Sequence, residues 1–235
     1  MAPARQPTCA TLRLLSYNVH GLRDDTTAMT AVVRGLRPDV MVVQEAPRRF
    51  RWRTRCADLA HRFGLFYAGG GQPALGNLLL VSMRVKVHET WSVQFPLTPG
   101  RHLRGAALAR CSIGRIPFVV AGSHLATDPT ERPAQAAILA KVLSEVDAPV
   151  VLAADLNDTS GSGCWRTLCD GRVDVAAAAG QVDAPSFPAT DARVRIDAIF
   201  ADPSFEVRGY RVVDTPDTRR ASDHLPILTD LCLPG

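Results

Sequence analysis

Short apolar runs alternate with stretches of helical periodicity along this chain. Ten runs rich in Val, Leu, Ile or Ala are bounded by Gly, Pro, Asn or Asp, a pattern typical of strands. Several are apolar at consecutive positions, so we expect both faces of those strands to be buried. The ten predicted strands are Leu12–Asn18, Val40–Val43, Gly76–Met83, Val85–Phe95, Leu103–Cys111, Ile116–Gly122, Pro149–Ala154, Arg195–Phe200, Phe205–Val213 and the run that starts at Leu225.

Three other segments, 26–36, 52–63 and 130–146, carry apolar residues every three or four positions and are predicted to be helices. Thr130 is the expected N-cap of the third, and a short helix is expected within 161–170. Gly69–Gly71 is expected to be a loop or turn. Strand pairs stand between the β-α units, so the pattern predicts one α/β domain of packed sheets with helices outside. We expect residues 1–10 to form a flexible tail and 11–235 the domain.

Composition and charge exclude few classes of protein. The chain has 235 residues, of which 46% are hydrophobic and 21% charged, as in ordinary globular domains. No apolar run approaches the roughly 18 residues of a membrane span, and the first residues lack the apolar segment of a secretory signal. We therefore expect a cytoplasmic protein without stable membrane insertion. Six scattered cysteines with no C-x-x-C pair argue against a zinc site and a disulfide framework.

Polar side chains gather where the predicted strands begin or end, which is where sites form in α/β sheets. For any one of them a cap or turn role is more common than catalysis. Together, several carboxylates, two imidazoles and two amides are typical of a hydrolase that uses a hard divalent metal. These residues are Asn18, Glu45, His124, Asp155, Asn157, Asp197, Asp223 and His224.

Phosphodiester hydrolysis is the chemistry that needs such a set. The diester is anionic and repels hydroxide, so a metal held by carboxylates lowers the barrier by cancelling charge. A carboxylate can orient or deprotonate the attacking water. Amide and imidazole groups can bind the phosphate oxygens as negative charge develops on them.

Six short motifs occur in a recognisable order along the chain. Because of these motifs, the segment from about Leu12 to Leu233 resembles the endonuclease/exonuclease/phosphatase superfamily, the DNase I-like phosphodiesterases. One such motif is weak evidence, whereas six in family order are strong. The resemblance implies an α/β (α+β) four-layer sandwich, with two packed mixed β-sheets flanked by helices. The motifs are Ser16-Tyr17-Asn18, Val43-Gln44-Glu45, Ser123-His124-Leu125, Ala154-Asp155-Leu156-Asn157, Arg195-Ile196-Asp197 and Ser222-Asp223-His224.

The resemblance also implies a metal site and a catalytic group. Glu45 would be the main ligand of Mg²⁺, with Mn²⁺ as an alternative ion, helped by Asn18 and Asp223. The catalytic residues would be Asp155, Asn157, His124, His224 and Asp197.

Each catalytic residue has an implied task. Asp155 would position or activate the water, and Asn157 would hold a phosphate oxygen. His224 would stabilise the transition state, oriented by Asp197, whose burial in an apolar strand would be costly without a partner. His124 would be a second phosphate ligand or the general acid.

Three further residues are expected to bind the substrate. Arg104 matches the phosphate-binding arginine of the family, and Asn77 is a weaker candidate for the same cleft. Arg48 begins an arginine-rich segment, 48–55, close to Glu45. This segment is either a solvated helix face or a rail for a phosphate backbone, on which Phe50 or Trp52 could stack a base.

Departures from the family pattern are few. Ala154 replaces the usual Gly before the Asp, and His124 with Arg104 resembles DNase I and the sphingomyelinases more than abasic-site endonucleases. The leading hypothesis is a monomeric Mg²⁺-dependent nuclease that cleaves DNA or RNA. Two alternatives stay open: the same chemistry on a phospholipid, inositol phosphate or small nucleotide, and an inactive binding module, which would need a lost site residue.

Overall fold

The computed structural model describes residues 10–233, which form twelve strands and six α-helices. The strands are β1 (Thr11–Asn18), β2 (Val40–Gln44), β3 (Phe66–Gly71), β4 (Asn77–Val81), β5 (Val85–Gln94), β6 (Gly105–Ile113), β7 (Ile116–His124), β8 (Val150–Asp155), β9 (Val173–Asp174), β10 (Asp197–Ala201), β11 (Glu206–Val212) and β12 (Ile227–Cys232). The helices are α1 (Thr26–Leu36), α2 (Trp52–Phe63), α3 (Arg132–Ser144), α4 (Gly163–Cys169), α5 (Val175–Ala178) and α6 (Pro216–Ala221).

The strands form two six-stranded mixed sheets. The first has the order β11-β12-β1-β2-β4-β3 and the second β5-β6-β7-β8-β10-β9. In the first sheet β1 and β2 run parallel, and in the second β7 and β8 do so. Their neighbours β12, β6 and β10 run antiparallel to β1, β7 and β8, respectively. The carboxyl ends of β1, β2, β7 and β8 therefore lie beside the amino ends of the antiparallel strands β12, β6 and β10.

Alternation of side chains along each strand produces four layers. In β1, Leu12 and Leu14 belong to the cluster between the sheets, while Leu15 and Tyr17 belong to the cluster under α1 and α2. A third cluster lies between the second sheet and α3 with α4. Both faces of the central strands are thus covered, which explains their continuous apolar runs. The predicted architecture of two packed sheets with helices outside is confirmed.

A glycine lets the two sheets approach closely near one end. A Cβ built on Gly122 would lie 2.5 Å from Cγ1 of Val42 in the facing sheet. Gly122 lies two residues before His124 at the end of β7, and Val42 lies two residues before Gln44 at the end of β2. The missing side chain therefore brings these two strand ends together.

Three local predictions were wrong. The glycines Gly69–Gly71 lie within β3 rather than in a loop. The third helix begins at Arg132, and Thr130 does not cap it; its hydroxyl donates to Asp128 instead. Cys232 is disulfide-bonded, whereas Cys56, Cys111, Cys164 and Cys169 are free.

Two further sequence predictions concern the N-terminal tail and membrane insertion. The predicted tail, 1–10, lies outside the described residues except for Ala10, whose carbonyl oxygen accepts a hydrogen bond from the Leu233 amide. Among residues 10–233, no helix is long and apolar enough to cross a membrane.

Candidate active site

The strand register gathers most of the predicted site residues at one end of the two sheets. Asn18 pairs with Gln44, the residue before Glu45, at the ends of β1 and β2. In the second sheet, Asp155 at the end of β8 pairs with both His124 and Asp197. This convergence is the one that the strand-end pattern predicted.

Asp155 is the centre of the group and is completely buried. Its Oδ1 accepts from the Asn157 amide at 3.0 Å, and its Oδ2 accepts from Asn18 Nδ2 at 2.9 Å. Nε2 of His124 lies 3.3 Å from the same Oδ2, and Nε2 of His224 lies 3.7 Å from it. The Asp155 carboxylate is thus buried among the hydrogen-bond donors of Asn18 and Asn157 and the two imidazole rings.

His224 is held by a buried chain of hydrogen bonds. Its Nδ1 lies 2.9 Å from Asp197 Oδ2, which also accepts from Ser186 Oγ at 2.6 Å. The ring packs against that of Phe187, with centroids 4.8 Å apart. Burial alone lowers the pKa of His224, but the charge and hydrogen bond of Asp197, with Asp155, raise it to about 10. The ring is therefore an imidazolium at neutral pH, with its Nε2–H directed toward Asp155.

His124 is a neutral imidazole in an equally buried position. Arg104 Nη1 donates to its Nδ1 at 3.0 Å, and its Nε2 lies 3.3 Å from Asp155 Oδ2. Burial lowers the pKa of His124 to about 3, and the charges of Arg104 and His224 act in the same direction. Burial also lowers the pKa of Arg104, an effect that Asp155 and Glu45 oppose.

Two amides complete the buried group. Asn18 Oδ1 accepts from the His20 amide at 3.0 Å, which leaves one lone pair of that oxygen open. Asn157 Nδ2 donates to the Leu125 carbonyl at 3.0 Å and lies 2.9 Å from His124 Nε2. Asn157 has φ = 49°, a left-handed backbone that turns its side chain back toward the strand ends.

Glu45 differs from the buried carboxylates because its side chain has no hydrogen bond or ion pair with any residue in 10–233. It is half-buried, has φ = 57°, and lines a groove beside Arg104. The Asp223 carboxylate, whose side chain is 39% exposed, lies 3.7 Å from His20 Nε2. An unpaired carboxylate with a second carboxylate and an amide oxygen is a donor set that fits a hard divalent metal.

Another group of described residues offers three ligand atoms within 4.8 Å of one another, namely Asp155, Asp197 and His224. The ligand atoms of this group are already engaged, because His224 Nδ1 lies 2.9 Å from Asp197 Oδ2 and the two Asp155 oxygens accept from Asn157 and Asn18. The oxygen ligands Glu45, Asn18 and Asp223 therefore fit the metal better than this group does.

The predicted substrate-binding residues lie in different surroundings. Asn77 is 1% exposed, and its Nδ2 donates to the carbonyls of Ala74 and Gly105, so it supports the backbone next to Arg104. Arg48 Nη1 donates to the carbonyls of Leu75 and Leu103.

Arg48 and Arg104 line a groove of about 400 Å³ beside Glu45, which we call the arginine groove. Its charged lining residues are Arg23, Arg48, Arg49, Arg55, Arg104 and Glu45.

Sequence reasoning missed Ser186, His20 and Arg23. Ser186 lies in an irregular segment with no motif, and only its contact with Asp197 reveals it. The His20 ring lies between Asp24, with Nδ1 2.7 Å from Oδ2, and Asp223, with Nε2 3.7 Å from Oδ2. Its position two residues after Asn18 was the only available signal.

Comparisons with known proteins identify the family and the fold of the chain. The sequence profile of the Endonuclease/Exonuclease/phosphatase family matches residues 15–224. No curated protein matches the sequence.

Several solved structures share the fold. A family member from Bacteroides vulgatus has 20% identity and a TM-score of 0.78, with 95% of this chain and 99% of that one covered. A mannosyl-6-phosphatase from Bacteroides thetaiotaomicron has 16% identity and a TM-score of 0.76, covering 94% and 100%. D. rerio TDP2 complexed with a single-strand DNA product has 20% identity and a TM-score of 0.75, covering 94% and 99%.

These matches confirm the DNase I-like fold of two packed sheets. The matched range, 15–224, covers most of the chain and includes the strand ends at Asn18, Gln44, His124 and Asp155. Members of the family hydrolyse phosphoric esters and depend on a divalent metal. The chain belongs to the Endonuclease/Exonuclease/phosphatase family and is a phosphoric ester hydrolase.

Proposed function

We propose that the chain is a Mg²⁺-dependent phosphodiester hydrolase that acts as a nuclease on DNA or RNA. The observation that carries the proposal is the pair Asp155 and His224, whose Oδ2 and Nε2 lie 3.7 Å apart. At this separation no direct hydrogen bond forms, so a water or phosphate oxygen can accept from the imidazolium while the carboxylate accepts from the water.

Glu45, Asn18 and Asp223 would hold the metal, which when bound supplies positive charge that offsets that of the diester. The oxygen of a water attacks phosphorus, and its proton passes to the Asp155 carboxylate. The bond from phosphorus to the leaving oxygen breaks, and that oxygen takes a proton from solvent. This sequence leaves a phosphate monoester and an alcohol.

The remaining buried groups stabilise charge on the phosphate oxygens. His224, kept cationic by Asp197, donates its Nε2–H, and Arg104 lies behind His124 as a second cation. His124 is neutral, so we assign it to phosphate binding rather than to general acid catalysis. Asn157 completes the set through its amide.

A substrate screen with purified protein tests this proposal. Plasmid DNA, single-stranded DNA and RNA are each incubated with Mg²⁺, with Mn²⁺ or with EDTA. We expect cleavage that requires the metal, and a loss of at least 100-fold in Glu45→Ala and Asp155→Asn, as expected for a metal ligand and a catalytic base. Intact nucleic acid under all metal and pH conditions would contradict a nuclease.

A second candidate function is the hydrolysis of a smaller phosphate ester. The likeness to a structure described as a mannosyl-6-phosphatase favours it. The screen therefore includes a sugar phosphate, an inositol phosphate, a phospholipid and small nucleotides. Turnover of one of these far above that of DNA and RNA, lost in Asp155→Asn, would replace the nuclease by this alternative.

We expect the enzyme to act as a monomer, because every residue proposed for the reaction comes from one chain. A monomer mass in solution during active turnover would agree with this. Activity that rises with the fraction of a dimer would contradict it.

A further inference from the structure

The arginine groove carries more positive charge than one reacting phosphate requires. Five arginines line it against a single carboxylate, that of Glu45. Arg104 lies against His124 at the catalytic centre, and Arg48 is tied to two backbone carbonyls. The side chains of the other three arginines line the groove without a hydrogen bond to the buried site residues.

These three arginines, Arg23, Arg49 and Arg55, are exposed. Their side chains form no hydrogen bond or ion pair with any residue between 10 and 233. They come from two separate segments, the turn after β1 and the stretch from β2 into α2. Like charges brought together by packing repel one another unless an anion lies between them. The groove therefore suits an anion that the protein does not itself supply.

An exposed aromatic ring lies where the groove continues. A neighbouring pocket of about 460 Å³ shares Arg49 and Arg55 with the groove and is also lined by Phe50, Arg51 and Thr54, with Asp58 as its carboxylate. Phe50 is 87% exposed. An exposed phenyl ring beside unpaired guanidinium groups is the combination that binds the bases and phosphates of single-stranded nucleic acid.

Trp52, the other aromatic of the segment, is not available in this way. Its ring packs over Gly71, where an added Cβ would lie 2.7 Å away, and Arg53 covers it with 4.5 Å to the ring centroid. The structure thus separates the two aromatics, and only Phe50 presents a free face.

We propose that the arginine groove and Phe50 form a track for one strand of nucleic acid that enters the active site. A phosphate next to the scissile one lies among Arg23, Arg49 and Arg55, and an unpaired base stacks on Phe50. This inference rests on the proposed nuclease function. It extends that function by naming the form of the substrate, since a duplex hides the base faces that Phe50 would contact.

Equilibrium binding tests the track without any hydrolysis. A fluorescein-labelled single-stranded (dT)12 is titrated with protein in EDTA and followed by anisotropy. We expect Arg49→Ala/Arg55→Ala to weaken binding by about tenfold or more. The slope of log affinity against log salt should fall by about 1.4, or about 0.7 for each lost phosphate contact.

The control removes two charges from the far end of the second sheet. Lys86 and Arg115 lie near the register pair Val85 and Ile113, at the opposite end of β6 from Gly105. Lys86→Ala/Arg115→Ala should keep the affinity and the salt slope of the unchanged protein. Equal weakening in both double variants would overturn the track, because only net charge would then matter.

Phe50→Ala separates stacking from charge. It should weaken (dT)12 binding by about tenfold with an unchanged salt slope, and Phe50→Trp should restore binding. Inorganic polyphosphate, which has no bases, should bind Phe50→Ala as well as it binds the unchanged protein. A duplex should bind more weakly than (dT)12. No effect of Phe50→Ala on (dT)12, or a preference for duplex, would overturn the proposal.

These outcomes can be told apart from failure of the proposed function. If no nucleic acid is cleaved but the groove variants lose (dT)12 as predicted, the nuclease assignment fails and the track is supported. If (dT)12 is cleaved and bound equally by all variants, the nuclease stands and the track is wrong. Thermal unfolding of each variant shows that the comparison is made between folded proteins.

Discussion

Arginines at the two ends of the first sheet differ in whether a carboxylate holds them. At the far end, Arg13 lies 2.7 Å from Asp230, and Arg84 lies 2.8 Å from the buried Asp39. At the site end, Arg23 and Arg49 have no such partner among the described residues. Paired cations tie the sheet edge together, whereas unpaired ones remain open to the negative charge of a ligand.

The site end itself contains two kinds of region. The proposed catalytic group is buried, and its carboxylates are hydrogen-bonded to Asn18 and His224 in the absence of substrate. The arginine groove is exposed and lacks such bonds. A prearranged group can stabilise a transition state without reorganisation, whereas the exposed arginines of the groove can pair with the charge of a ligand.

The largest effect is expected for His224→Ala, which removes the cation beside Asp155. We expect hydrolysis of the identified substrate to fall by about 10³-fold, within the range for loss of a charged donor or acid-base group. Initial rates at saturating substrate measure it. The matched control is His88→Ala, an exposed histidine that contacts Ser112 on β6. Similar rates in the two variants would remove His224 from the mechanism.

A smaller effect with a distinct signature is expected for Asp197→Asn. Burial lowers the pKa of His224, and Asp197 is the main group that raises it to about 10. Without the carboxylate the pKa falls, so the ring loses its proton at lower pH. We expect rates at pH 8 to drop by about 10- to 100-fold, with an alkaline limb that moves down from near pH 10.

The raised pKa of His224 also makes the free energy of unfolding depend on pH. A raised pKa means that the folded state binds the proton more tightly, so this stabilisation is present below about pH 6.5 and is lost as the pH rises toward 10. Urea unfolding of the unchanged protein and Asp197→Asn at pH 6 and pH 9 checks it. If Asp197→Asn unfolds with the same pH dependence, the pair does not carry the stabilisation.

Ser186→Ala tests whether the hydrogen bond from Ser186 to Asp197 is needed to orient His224. The hydroxyl donates to the Asp197 oxygen that also accepts from His224, so its loss frees the carboxylate to rotate. We expect kcat to fall by about tenfold, the value of one hydrogen bond to a charged group, while KM stays the same. Ser186→Thr keeps the hydroxyl and should restore kcat. An equal loss in both variants would indicate a packing defect instead.

The smallest effect on hydrolysis is expected for Arg84→Ala at the far end. In this variant Asp39 would still accept a hydrogen bond from the Arg13 amide, but it would lose its ion pair with the Arg84 guanidinium. We expect the free energy of unfolding to fall by about 1–2 kcal/mol, with unchanged hydrolysis. Arg115→Ala, which removes an exposed arginine from a turn, should change neither. A loss of activity in Arg84→Ala would show that the two ends are not independent.

The sequence by itself determined the strands and the residues at their ends. Continuous apolar runs identify strands covered on both faces, and a polar residue that ends such a run must lie at a sheet edge. Asn18, His124 and Asp155 were found in this way. Parallel pairing then places their side chains at one edge, so the convergence of this buried polar group was predictable in outline before its distances were known.

Tertiary packing alone decided the partners that come from irregular segments. Ser186 reaches Asp197 from a segment without periodicity, and Arg23 lines the same groove as Arg49 and Arg55 only because two segments distant in sequence lie side by side. Likewise Phe50 and Trp52 are two residues apart, yet Gly71 makes room for only one of the rings. Backbone periodicity constrains strands and helices, whereas the positions of loop side chains depend on contacts between segments distant in sequence.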